Sequence, residues 1–105
     1  MSFDAYHLAI DIARAVRPLI AEIAQSDPDL ARQLRRALTS TPLNLAESRT
    51  RFGKDRRHLT RVAAGSHAEV RAALDVAGAL GYIEQVPELE ANLDRLAAML
   101  WPLIR

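Results

Sequence analysis

From Leu59 to Leu80 the chain places Leu59, Ala63, Ser66, Val70, Ala73, Ala77 and Leu80 at alternating spacings of four and three residues. This is the heptad period of a long helix that presents one seam to a neighbour. A strand cannot use it, because strand side chains alternate with period two. Most seam residues are small, which lets two helix backbones approach closely. The rest of the sequence agrees with a helical fold. No segment alternates with period two, β-branched and aromatic residues are sparse, and Ala, Leu and Arg dominate.

Three breaks divide the chain. The first helix is expected from about Asp4 to Ala24. Leu8, Ile12, Ala15, Leu19 and Ile23 form one apolar stripe, and Ile10, Ala13, Val16 and Ile20 form a second beside it. Asp4, His7, Asp11, Arg14 and Glu22 take the polar side, so the apolar face is broader than one neighbour would need. Ser26-Asp27-Pro28-Asp29 can end that helix and cap the next, with Pro28 in the first turn. The second helix is expected to reach Ser48 or slightly beyond, with Leu30, Leu34, Ala37, Leu38, Thr41 and Leu45 inward. Pro18 and Pro42 lie inside these helices and are expected to bend them. Phe52-Gly53 reads as a turn, and the third helix as about Lys54 to Leu80, stopped by Gly81. Pro87 opens a fourth, with Leu89, Leu93, Leu96, Leu100 and Leu103 on its core side.

Four helices with short connections imply an all-α, antiparallel up-and-down four-helix bundle, and 105 residues suit a single domain spanning 1–105. Apolar residues make up 50% of the chain, which excludes intrinsic disorder. The broad face of the first helix and the apolar Trp101-Pro102-Leu103-Ile104 ending exceed what one small bundle buries, so association with further copies is expected. Cysteine is absent, and no 18-residue apolar run is present. Neither a disulfide framework nor a membrane span is therefore expected. Met1-Ser2-Phe3-Asp4 lacks the basic and apolar regions of a secretory leader, so the expected location is cytoplasmic.

The formal net charge is +1, but it is unevenly spread. Residues 32–61 hold nine basic and two acidic residues, a net of +7, and the remainder is net −6. Arg49, Arg51, Lys54, Arg56 and Arg57 fall within nine residues around the turn, interrupted only by Asp55. Such a cluster repels itself unless an anion offsets it. A nucleic-acid backbone, RNA or DNA, is one candidate. Acidic residues of a second copy, for example Glu84, Glu88 or Glu90, are another.

Motifs for catalysis or cofactors are scarce. No phosphate loop, dinucleotide fingerprint or nucleophile elbow is present, so no cofactor is expected. His58 and His67 are nine residues apart and point to opposite sides of one helix, so no metal site is expected and both read as surface histidines. Arg51 with His58, and Arg61 with His67, have spacings similar to those of helical-bundle ribonucleases of the HEPN type. The polar residue usual after that arginine is replaced by Phe52 and Val62. The expectation is a protein without catalytic residues.

Arg36, Ser40, Asn44, Glu47 and Arg51 share one face of the second helix. If the second and third helices form a hairpin turning at Phe52-Gly53, facing residue numbers sum to about 105. Arg36 then meets Glu69, Ser40 meets Gly65, Glu47 meets His58, and Asn44 lies near Arg61 and Val62. The expectation is an inter-helix polar network of Arg36, Ser40, Asn44, Glu47, Ser66 and Glu69, with Arg36 and Glu69 as partners beside the core. A ligand site on the same residues is the alternative.

These residues also carry a family resemblance. Arg35-Arg36-Ala37, Ser40 and Pro42-Leu43-Asn44-Leu45-Ala46-Glu47 resemble the RRA, Ser and PxNIAEG run of the small four-helix bundle proteins of intervening sequences in bacterial large-subunit (23S) rRNA genes. Val62-Ala63-Ala64-Gly65-Ser66-His67-Ala68-Glu69 is similar to that family's IAxGSxxE block. Leu80-Gly81-Tyr82-Ile83 and Met99-Leu100-Trp101-Pro102-Leu103-Ile104 also fit. Ser48 stands where the family has glycine, which leaves the end of the second helix open. The resemblance implies an antiparallel four-helix bundle assembled as a ring-like homopentamer. A more distant likeness to accessory variability determinants of diversity-generating retroelements implies nucleic-acid binding and a protein partner such as a reverse transcriptase. The expected function is that of a non-enzymatic, homo-oligomeric bundle that binds RNA or DNA through the basic turn. A structural or protein-interaction module and a HEPN-like ribonuclease are the alternatives.

Overall fold

The computed structural model describes residues 4–105, so Met1–Phe3, on which the expectation about a leader partly rests, lie outside the described residues. Four helices are present among these, α1 (Asp4–Ser26), α2 (Pro28–Ser48), α3 (Gly53–Ala79) and α4 (Pro87–Ile104), and no strand. At 1.5 Å per residue α3 is about 40 Å long, and the longest dimension of the molecule is 42 Å. One helix therefore sets the length of the whole.

Local chemistry explains each boundary. A single residue, Asp27, separates α1 from α2. Its amide donates to the Ile23 carbonyl of α1 at 2.8 Å, and its carboxylate accepts from the Leu30 amide of α2 at 3.0 Å. Pro28 follows at the first helical position, where a missing N–H costs nothing. α2 ends at Ser48 without a glycine. Tight bonds from the Thr50 amide to Glu47 and from the Arg51 amide to Ser48 satisfy the last carbonyls instead. Gly53 then turns the chain at φ +57°, a conformation in which a side chain is strained. α3 stops in a Schellman motif. Gly81 sits at φ +78°, with its amide bonded to Gly78 and the Tyr82 amide to Ala77.

The core runs through all four helices. Ile12, Val16, Ile23, Leu34, Val70, Leu93, Leu96 and Leu100 are at most 2% exposed. α2 packs on α1 and α3, and α4 also packs on α1 and α3. α1 therefore spends its broad apolar face on two neighbours inside the bundle. Ala15, expected on that face, is exposed, and Leu19 is half-buried. Ser66 of α3 meets Ser40 of α2, and the numbers sum to 106, one residue from the expected register. Between α3 and α4, His67 meets Leu93, Arg71 meets Glu90, and Arg61 meets Ile104.

The α3 seam is wider than its heptad suggested. Thr60, Ala63, His67, Val70, Ala73, Leu74 and Ala77 are buried, whereas Leu59 and Ser66 are half-buried and Leu80 is exposed. α3 serves two partners, so the expected seam faces α2 while Thr60, His67 and Leu74, seven residues apart, form a second line. No helix of the described residues is long and apolar enough to cross a membrane.

Candidate nucleic-acid interface

The basic turn joins the end of α2 to the start of α3. Phe52 occupies the cap position of α3 in extended conformation, with no side-chain hydrogen bond to the helix. Arg49, Arg51, Lys54 and Arg57 are exposed around it, as is His58. Arg51 pairs with Glu47 one helical turn back, Nη2 to Oε1, at 3.1 Å. Both partners are about half exposed, so the pair is largely screened by water.

Arg56 differs from its neighbours. It is half-buried, and its Nε donates to the Ser48 carbonyl at 3.1 Å while Nη2 donates to the Arg49 carbonyl at 3.3 Å. A cation at a helix C-terminus satisfies orphan carbonyls and opposes the negative end of the helix dipole. Arg56 thus closes the end of α2, and its guanidinium lies 5.7 Å from the centroid of the Phe52 ring. The charge run places Arg56 among the expected nucleic-acid contacts, and its bonds to the Ser48 and Arg49 carbonyls give it a structural task as well. Its spacing of eight from Ser48 spans a loop, so helical periodicity cannot reveal it.

The expected polar network is formed in part. The Ser66 hydroxyl donates to the Ser40 hydroxyl at 2.7 Å, and Asn44 Nδ2 donates to the same oxygen at 3.0 Å and to the Ser40 carbonyl at 2.9 Å. Glu47 turns to Arg51 instead. Arg36 and Glu69 are both exposed, and no ion pair joins them. Their expected partnership beside the core is thus corrected. There Ser40, Asn44 and Ser66 bond to one another across α2 and α3 without the two long side chains.

His67, expected at the surface, is buried. It is 5% exposed, and its Nε2 lies 2.8 Å from the Leu93 carbonyl, so that nitrogen carries the proton and donates. Burial first, and the nearby positive charge of Arg71 second, hold its pKa below the usual histidine value against the opposing effect of the Leu93 bond. The expectation of a surface histidine failed because α3 buries two lines of residues rather than one. Arg61, its proposed companion in a ribonuclease-like pair, donates to the Ile104 carbonyl at 3.3 Å. Among the described residues no group of three or more His, Asp or Glu side chains is arranged to hold a metal ion.

The opposite sign of charge collects at the α3–α4 connection. A cleft of about 660 Å³ there is floored by Leu19, Leu74 and Leu89 and rimmed by Asp75, Glu84 and Glu90. No curated protein matches the chain. The family of 23S rRNA-intervening sequence proteins does match, over residues 1–101, and the two blocks around Ser40 and Ser66 that meet across α2 and α3 lie within that match. The chain belongs to the 23S rRNA-intervening sequence protein family.

Proposed function

We propose that this protein is a non-enzymatic, homo-oligomeric bundle that binds RNA or DNA through the α2–α3 turn, in the cytoplasm, as an accessory to a nucleic-acid enzyme such as a reverse transcriptase. The helices run up and down in antiparallel order. The contacts of Arg61, His67 and Arg71 with successively earlier parts of α4 support that order. The observation that carries the binding reading is the exposure of Arg49, Arg51, Lys54 and Arg57 on one short connection. Only Asp55 interrupts them in the sequence. Phosphate groups are the ligand such a surface suits, since cations position a nucleic-acid backbone without reading its sequence.

A ring-like homopentamer, the assembly that the family resemblance implies, would repeat the turn on every subunit and create a basic rim. Leu43 at 62% exposure and Trp101 at 60% supply apolar surface for contacts between copies. The test is binding of a mixed-sequence RNA at about 50 and about 200 mM salt, where several phosphate contacts lower affinity by orders of magnitude. Salt-independent binding, or none, sinks the proposal.

One observation favours a second reading, a structural or protein-interaction module. Arg56 at the end of α2 and Arg51 with Glu47 have local tasks. If such tasks account for the cluster, the turn needs no nucleic acid.

A further inference from the structure

Phe52 is the most exposed large apolar side chain among the described residues, at 82%. Neither folding nor capping accounts for it. A ring left in water contributes little hydrophobic stabilisation. The cap position it occupies favours Ser, Thr, Asp or Asn, whose oxygen can accept a helix amide, and Phe52 offers no such acceptor.

The ring is nevertheless held in place. Arg56 lies over it at 5.7 Å from the centroid, and Arg56 is tethered by its two bonds to the Ser48 and Arg49 carbonyls. The backbone on either side is fixed by the end of α2 and by the first bond of α3, from the Arg56 amide to the Phe52 carbonyl. An aromatic ring is thus braced on one side by a cation and open to water over most of its surface. Lys54 and Arg57, both exposed and neither ion-paired with another described residue, stand on the same turn.

A positively charged track with an aromatic platform is how proteins hold single-stranded nucleic acid. The cations follow the phosphates, and an unpaired base stacks on the ring. In a duplex the base faces are covered by their own neighbours, so a phenyl ring at the tip of a turn cannot reach them without unstacking the helix. We propose that Phe52 is a stacking platform for an unpaired nucleobase, so that the α2–α3 turn selects single-stranded RNA or DNA over duplex. This rests on the reading that the turn binds nucleic acid, and it names the form of nucleic acid bound. Base identity matters little, because every base offers a π face.

The rival occupant of the ring is a second copy of the chain, whose apolar, acid-rimmed cleft at the α3–α4 connection could receive Phe52 together with its cations. The test compares the full-length protein with Phe52→Ala and Phe52→Trp. Each is titrated against one labelled RNA strand and against the same strand in a perfect duplex, and light scattering gives the size of each variant. Melting temperatures check folding, which an exposed ring should barely affect. The expected result is a preference of the wild type for the single strand. Phe52→Ala then loses about tenfold on the single strand, as removal of one stacking contact should. Its duplex binding, size and melting temperature stay unchanged, and Phe52→Trp retains single-strand affinity.

Wild-type binding with equal affinity for strand and duplex, unaffected by Phe52→Ala, overturns the platform and leaves the basic turn as a plain phosphate site. A smaller assembly for Phe52→Ala overturns it in favour of the cleft. Absence of any wild-type binding overturns both the platform and the proposed function.

Discussion

Ser66 of α3 donates its hydroxyl proton to the Ser40 hydroxyl of α2 at 2.7 Å, and the Ser40 oxygen also accepts from Asn44. The bond joins the two sequence blocks of the family resemblance and fixes the register of the helix pair. A hydrogen bond of this kind is worth about 0.5–1.5 kcal/mol net. A double-mutant cycle of Ser40→Ala and Ser66→Ala, read by urea unfolding, should show a coupling energy in that range. Additive effects would mean that packing alone holds the register.

Two glycines should respond to alanine in opposite directions. Gly65 lies inside α3, and a Cβ there would meet nothing within 4 Å. Gly65→Ala should stabilise an isolated subunit by about 0.5–1 kcal/mol through helix propensity. Gly53 also has open space, but its φ of +57° strains any side chain, so Gly53→Ala should destabilise by about 1–2 kcal/mol. Thermal unfolding of both variants at low concentration checks the pair. If Gly65→Ala destabilises only at high concentration, another copy sits against that position.

His67 makes stability depend on pH. Its folded pKa lies below its unfolded value of about 6.5, because burial disfavours the imidazolium. Above that unfolded value histidine is neutral in both states, and its full contribution is present. As pH falls through it, the unfolded chain takes up the proton first and stability declines. The decline stops only once the folded pKa is passed. Urea unfolding at intervals between about pH 7.5 and 5 should show a steeper loss for the wild type than for His67→Gln. Parallel curves would place the pH dependence elsewhere.

The sequence made the helix bounds legible because prolines, glycines and acidic caps mark them chemically. α2 was expected to end near Ser48 and does, and α3 begins and ends one residue before its expected limits. The register of α2 and α3 was legible to one residue, since a hairpin leaves few choices once its turn is known. Two features were not. The burial of His67 depends on α3 facing α4 as well as α2, and a single seam hides the second line. The task of Arg56 depends on how the 49–52 loop folds back, which no period describes. In the candidate site, the cluster itself was legible as a run of charge, and the division of labour within it was not.

That division decides how the functional proposal must be tested. Charge reversal at Arg56 would remove two bonds to the carbonyls at the end of α2, and hydrogen bonds to a charged group are worth about 1.5–3 kcal/mol before solvent screening. Any loss of RNA binding in that variant would be confounded with fraying of the turn. Lys54 and Arg57 avoid the problem, because both are exposed and neither is ion-paired with another described residue. The double variant Lys54→Glu/Arg57→Glu should melt within about 0.5 kcal/mol of the wild type, as surface changes do. It should lose RNA binding at low salt and flatten the dependence of affinity on salt, since each phosphate contact contributes about one unit to that slope. Arg56→Ala should lower the melting temperature more than either single change. If the Lys54→Glu/Arg57→Glu protein binds RNA normally but falls apart in light scattering, the basic turn meets acidic residues such as Glu84, Glu88 or Glu90 of a second copy. If both binding and assembly survive, the cluster serves neither purpose, and the module reading, with Arg56 and Arg51 as local braces, takes its place.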